Sequence, residues 1–304
     1  AFWRQLCALK RVLCVIVLLF VSALTSWVPA STDKQAARIG RSAYAEYLKG
    51  LLSERYGDPA DALQEYIKAR RIDSGSTSLK LKLAIQYIKL NENENAVDIL
   101  SGLLAEEPLN VDAHLLLILL HSVSGDEVKA TAAYGDMLQR LYGTDPSNIS
   151  IAESLAQFKL QDRDLEGALS IYQGLSQAHP EYDDARFWVG YLHEESGRRQ
   201  EAIATWKILL EHNPEHSDGL NSLGYIYAEE GINLDQAEAM IIKALEKRPD
   251  SPAYLDSLGW VYYKQGRYGE AAEYIEKAAA VLRDPVILDH MAEIYQAMGS
   301  TEKA

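Results

Sequence analysis

The side chains most able to do chemistry in this chain are its seven histidines and its carboxylates, and spacing decides what they can do. His193-Glu194-Glu195 sets an imidazole beside two acids, as a zinc helix does, but the second histidine such a helix needs is missing, so it reads as the solvated end of a helix. His212 and His216 are four residues apart, a ligand-like spacing. Pro214 lies between them in HNPEH and breaks the helix that would align them, so a helix-to-helix turn is the better reading. Asn91-Glu92-Asn93-Glu94-Asn95 is rich in oxygen but lacks the spacing of a calcium loop. His114 and His121 fall among apolar residues and read as packing groups. There is no glycine-rich phosphate loop and no nucleophile elbow. The sequence therefore assigns no catalytic residue, no metal ligand and no cofactor site, and the expectation is a protein that is not an enzyme.

Bulk composition agrees with a folded binding protein. The 304 residues are 48% hydrophobic and 24% charged, too apolar for disorder. A formal net charge of -14 disfavours nucleic acid, which needs a basic footprint, and leaves an acidic surface suited to solubility or to a basic partner. Eighteen Tyr against four Phe favours half-buried positions, where a ring packs and its hydroxyl stays wet.

The N-terminus reads as an export signal. Arg4, Lys10 and Arg11 precede an apolar run from Val12 to Leu24, long enough for a signal core and short for a spanning helix. Val28 and Ala30 are small residues at cleavage spacing, so residues 1–30 form a signal peptide cleaved after Ala30, or else an uncleaved anchor with the run stretched to about Val28. Either places the rest of the chain outside the cytoplasm, in the periplasm or attached to the envelope. Both cysteines, Cys7 and Cys14, lie in this segment, so the mature chain offers no disulfide framework and would carry 27 Lys and Arg against 44 Asp and Glu. No cysteine stands after the run where a lipoprotein signal would place one. Residues 31–42 form a linker or an extension of the first helix. The first residue is Ala and not Met, which leaves room for a start upstream.

The remainder is a repeat. Ala62, Ala96, Ala130, Ala168, Ala202, Ala237, Ala271 and Ala304 recur at intervals of 34, 34, 38, 34, 35, 34 and 33 residues. Twelve residues before each, or thirteen for Ala237, stand Gly50, Ala84, Ile118, Ala156, Gly190, Gly224, Gly259 and Ala292. Small residues at both slots allow two helix backbones to approach. Four residues after the first seven Ala stand Tyr66, Leu100, Tyr134, Tyr172, Trp206, Ile241 and Ile275, on the same helix face and large enough to fill the space beside it. Gly57, Gly125, Gly197, Gly231, Gly266 and Gly299 fall midway, where the chain must turn. Pro108, Pro180, Pro214 and Pro249 end the second helices.

Several slots in register, above all in YLDSLGWVYYKQGRYGEAAEYIEKA (254–278), LNSLGYIY and AEAMIIKAL, resemble the tetratricopeptide repeat over residues 43–304. The resemblance implies an all-α fold: a right-handed α-solenoid, or TPR superhelix, of about seven and a half helix-turn-helix repeats. The units are 43–76, 77–110, 111–148, 149–182, 183–216, 217–251, 252–284 and a partial 285–304. Ile118 departs from the small-residue pattern, and the exit loop LYGTDPSN of that unit is about four residues longer, so looser packing is expected there. The array stops at Ala304 without the polar cap a solenoid end needs, which reads as a truncation.

In such an array the first helices line a concave face, and the resemblance implies that this face binds polypeptide. The register places Asp184, Phe187, Tyr191 and Glu195 on it in the fifth unit, Asp218, Asn221, Tyr225 and Glu229 in the sixth, and Asp256, Trp260 and Lys264 in the seventh. Rings and carboxylates on one helix face suit an extended or helical segment that carries Lys or Arg among apolar residues, though some of the rings could instead pack between repeats. A second, apolar patch is expected from Leu81, Ile85, Ile88, Leu115 and Leu119, open to the chain's own linker, a second copy or an apolar partner, unless it is ordinary core. The basic and Asn pattern that clamps a C-terminal carboxylate in some chaperone-binding members is absent.

The stretches LDSLGWVYY and DPVILDHMAEIYQAMG also resemble exported bacterial members of the family, some of them outer-membrane lipoproteins that present substrates to processing proteases. This implies a non-catalytic adaptor of the cell envelope, delivering substrates to a protease or supporting envelope assembly. The alternatives are the repeat arm of a larger enzyme such as a glycosyltransferase, whose Asn ladders are not matched by the single Asn221, or a structural subunit of a polysaccharide or pilus secretion machine.

Overall fold

The computed structural model describes residues 41–299, so the N-terminal run, its cleavage position and Ala304 lie outside the described residues. Fifteen helices and no strand occur among the described residues. They pair in chain order. The first pair is α1 (Arg41–Arg55) with α2 (Pro59–Ile72), followed by α3 (Thr77–Lys89) with α4 (Asn93–Glu106), and α5 (Val111–Val123) with α6 (Glu127–Thr144). Next come α7 (Ile149–Gln161) with α8 (Leu165–Ala178), and α9 (Asp183–Glu195) with α10 (Arg199–His212). The last are α11 (Ser217–Glu229) with α12 (Leu234–Lys247), α13 (Pro252–Lys264) with α14 (Tyr268–Val281), and α15 (Pro285–Ala297). The described chain divides after Asp145 into two compact units. Within each, every first helix from α1 to α13 packs on its own second helix, and every first helix after the first pair of the unit, α15 included, packs on the second helix of the pair before. No helix among the described residues is long and apolar enough to cross a membrane.

Capping fixes where these helices begin. Asp58, Ser76, Asn110, Asp126, Asn148 and Asp164 each accept a hydrogen bond from the backbone N–H three residues on. Each such cap contributes about 1 kcal/mol. The small-residue slots lie where the two helices of a pair touch. A Cβ at Gly259 would stand 3.2 Å from the carbonyl oxygen of Ala271, and one at Gly190 would run into the indole of Trp206. The repeating Ala from Ala62 to Ala271 is buried in all seven described repeats.

Six midway glycines have positive φ, from 66° to 80°. In the second and fourth repeats the same left-handed place is taken by Asn91 and Arg163, at 60° and 58°. At Gly266 a Cβ would meet nothing within 4 Å, so only the backbone conformation resists a side chain. Gly266→Ala is therefore expected to lower stability by about 1–2 kcal/mol, read as a lower urea midpoint with an unchanged slope. The one-residue insertion before Ala237 is absorbed by a second left-handed residue, Asn233, at the entry to α12.

The third repeat departs from the expectation. The additional residues do not lengthen a loop. They extend α6 to 18 residues where the other second helices have 14. The apolar spacing of Leu138 and Leu141 and the Arg140–Asp136 pair at 2.8 Å carry the helix on by a turn before Pro146. Ile118 is buried in the small-residue slot, and Tyr134, which fills the space beside it, stays half-buried. The six corresponding residues, Tyr66, Leu100, Tyr172, Trp206, Ile241 and Ile275, are buried.

Candidate functional site

The unit of residues 146–299 holds the ring-bearing wall. On α9, Asp184 and Glu195 are exposed and Phe187 and Tyr191 half-buried. On α11, Asp218, Asn221, Tyr225 and Glu229 are half-buried. On α13, Lys264 is exposed while Asp256 and Trp260 are buried. Burial sets Trp260 apart from Tyr191 and Tyr225, and its cause is α15. His290, the sixth residue of α15, lays its ring on the Trp260 indole at 4.0 Å and 15°, and its Nδ1–H donates to Asp256 Oδ1 at 2.9 Å. Tyr263 stacks on Trp260 at 4.8 Å, and the Lys264 ammonium lies 4.6 Å from the indole centroid.

Most of the acids on this wall tie one repeat to the next. Trp260 Nε1–H donates to Glu229 at 2.5 Å. Tyr254 O–H donates to Asp218 at 2.6 Å, and the Arg248 guanidinium pairs with the other oxygen of that carboxylate. Asp184 faces His216 Nε2 at 3.3 Å, and the His216 ring stacks on Phe187 with centroids 5.6 Å apart. Asn221 Oδ1 is buried without a hydrogen-bond partner among the described residues. Burial, and then the Glu195 carboxylate, push the Tyr191 hydroxyl up. Burial followed by Glu229 and Asp256 does the same for Tyr225, so both hydroxyls stay protonated donors.

Three further residues belong to this wall, and repeat register alone does not single them out. Trp188 is half-buried, stacked on Tyr172 at 5.6 Å and 10° and meeting Tyr191 edge-on at 5.3 Å and 82°. Glu153 on α7 accepts from the Tyr182 hydroxyl. His290 is the third. Trp188 and His290 share a signal, since both are the sixth residue of a first helix, three residues or about one turn before the ninth.

In the unit of residues 41–145, Leu81, Ile85 and Ile88 are half-buried, packed against the cluster of Ala84, Leu100, Leu103, Ala113 and Leu116. Leu119 is half-buried and Leu115 is 43% exposed. Beside them Glu54, at the end of α1, accepts from Tyr66 O–H at 2.8 Å, Lys82 at 2.9 Å, and Gln86 and Lys89 at 3.1 Å. Burial alone would raise this carboxyl. Lys82 above all, with Tyr66 and Lys89, holds it down to about 2.

Glu194, His212, His216 and His114 have structural employment. Glu194 is gripped by Arg199 through Nε at 3.0 Å and Nη2 at 2.7 Å. His212 Nδ1 bonds Asp183 at 2.9 Å, while His216 Nδ1 accepts the N–H of Gly219 and caps α11. His114 is buried, its Nε2 3.0 Å from the carbonyl oxygen of Pro108. Among the described residues no group of three or more His, Cys, Asp or Glu is placed to hold a metal ion.

Comparison with known proteins agrees with this architecture. Two family models, each described as tetratricopeptide repeat, match residues 81–146 with 233–284 and residues 159–223, together more than half of the chain. The chain belongs to the tetratricopeptide repeat family. No curated protein matches it. Among solved structures, a tetratricopeptide repeat protein from Parabacteroides merdae is 17% identical and covers 84% of this chain and 99% of its own, with a TM-score of 0.45. MamA from Desulfovibrio magneticus is 14% identical over 52% of this chain and 88% of its own, with a TM-score of 0.44. The APC/C hetero-tetramer Cut9–Hcn1 is 15% identical over 80% of this chain and 47% of the matched chain, with a TM-score of 0.51, a likeness of fold.

Proposed function

We propose that the protein is a non-catalytic scaffold that works outside the bacterial cytoplasm and holds a partner polypeptide against the first-helix wall of residues 146–299. One observation carries this reading: Tyr191 and Tyr225 stand half-exposed on consecutive first helices, flanked by carboxylates whose directions are fixed by hydrogen bonds. Rigid rings give contact area at little entropic cost, and anchored acids give orientation. The occupant is a segment with basic residues among apolar ones, matched to a chain of net charge -14. The family supports a protein-binding role. The export signal of residues 1–30 and the likeness to exported members support the envelope, with delivery of substrates to a processing protease or support of envelope assembly as the task.

Crosslinking capture from envelope extracts with the mature chain identifies the partner. Tyr225→Ala is then expected to weaken its binding by about tenfold or more, as loss of an aromatic anchor does. Unchanged affinity with an intact helical spectrum would remove this wall as the binding site. Trp260 serves poorly for that experiment, because its substitution disturbs the fold.

A further inference from the structure

We propose that α1 is a self-association surface, on which a second copy of this chain docks its own α1 antiparallel about a two-fold axis. Tyr44, Leu48, Leu52 and Tyr56 follow one another at steps of four. Tyr56 N–H still donates to the Leu52 carbonyl oxygen at 3.0 Å, so the helical turn carries all four on one stripe. They are 42%, 41%, 53% and 84% exposed. The stripe belongs to the unit of residues 41–145, whereas the proposed partner wall belongs to that of residues 146–299.

The repeat explains what such a stripe is for. Leu48, Leu52 and Tyr56 stand two before, two after and six after the small-residue slot at Gly50. The same places at later first helices hold the preceding repeat. Lys82 and Gln86, two before and two after Ala84, donate to Glu54 on α1. His290, two before Ala292, donates to Asp256 on α13, and Gln265, six after Gly259, donates to Glu238 on α12. Two places after the slot, Gln86, Leu120, Leu192, Ile226, Val261 and Ile294 are at most 2% exposed. Among the described residues no repeat precedes α1, so its repeat-facing side points outward, and it is apolar where a solvent face would be charged.

Two features select a second copy over an unlike partner. The order Tyr, Leu, Leu, Tyr reads the same from either end. A two-fold axis at the level of Gly50 therefore sets Leu48 against Leu52 of the second copy and Tyr44 against its Tyr56, so one patch serves both copies. The second feature is charge. A chain of net charge -14 repels its own copies, yet from Ser42 to Tyr56 no exposed residue is an acid. Lys49 beside the stripe is paired with Glu46 at 3.0 Å, and the two Arg55 side chains would lie at opposite ends of the helix pair. Four side chains of this exposure present roughly 400 Å² per copy. With their rims, two copies reach about the 1,200 Å² at which stable interfaces begin, so the dimer is a weak one that dissociates in the micromolar range.

Sedimentation velocity on the mature chain, from about 1 to 200 µM, should show a monomer passing to a dimer. Leu52→Glu is expected to raise the dissociation constant about tenfold or more with an unchanged urea midpoint, because the site is exposed. Tyr56→Ser, at the most exposed ring, repeats the test should Leu52→Glu lose helix. No cysteine follows Cys14, so introduced thiols read the geometry directly. Under mild oxidation by copper phenanthroline, Tyr44→Cys chains mixed with Tyr56→Cys chains should form the mixed disulfide in preference to either symmetrical one. A chain that stays monomeric to about 200 µM would overturn the proposal. So would a dimer that both substitutions leave intact, or symmetrical disulfides in preference to the mixed one. A Leu52→Glu chain that keeps the dimer but loses the envelope partner would overturn it too, and would give the face to that partner.

Discussion

Replacing Trp260 with Ala is expected to lower the unfolding free energy by about 3–5 kcal/mol, the range for emptying a buried indole site. The side chain is 4% exposed, and its neighbours belong to three repeats: Glu229 on α11, Tyr263 on α13 and His290 on α15. The truncation leaves a cavity, takes the donor from Glu229 and strips the His290 ring of its platform. Urea unfolding followed by far-UV circular dichroism reads the loss. A change below about 1 kcal/mol would mean that the site collapses freely and that Trp260 is not a junction. His290→Ala should cost less, because the indole keeps Tyr263 and Glu229.

Acid is expected to weaken the unit of residues 41–145 through Glu54. Its folded carboxyl sits at about 2, against an ordinary 4.5. As pH falls below the ordinary value, the unfolded chain takes up the proton first. The stabilisation is therefore complete above about pH 4.5 and is lost progressively as pH falls towards 2. A shift of this size corresponds to roughly 3 kcal/mol at neutral pH. Urea midpoints at pH 5 and pH 2.5 measure it, with Glu54→Gln as the control for every other acid in the chain. The variant should be less stable at pH 5 and should lose less on acidification. Parallel acid curves for the two proteins would mean that Lys82 and Lys89 do not hold the carboxylate.

The architecture was legible in the sequence because close backbone approach admits few residue types. At Gly190 and Gly259 a Cβ has no room, so the small residue must recur with the repeat, and the large residue four places after each Ala must recur beside it. Two features resisted that logic. Asn91 and Arg163 adopt the left-handed turn without glycine, and the extra residues of the third repeat continue a helix that propensity and pairing could sustain. The wall was legible only in part. Register alone places Tyr191, Tyr225 and Trp260 in equivalent positions, but Trp260 alone is covered by a ring stacked from the sixth residue of the next first helix. That residue is Ser222 after Tyr191, Ser257 after Tyr225 and His290 after Trp260. A contact between unlike residues about one repeat apart leaves no periodic trace.

From Tyr254 to Tyr262, nine consecutive residues of α13 are buried, and four helices pack on it: α11, α12, α14 and α15. Most first helices keep a solvent stripe; this one has almost none. The array is therefore not a string of equal links. A fluctuation that peels α15 away meets a helix whose release would uncover apolar surface in both directions along the chain, and it stalls there. The seventh repeat works as a bulkhead, so that the ring-lined wall upstream keeps its shape.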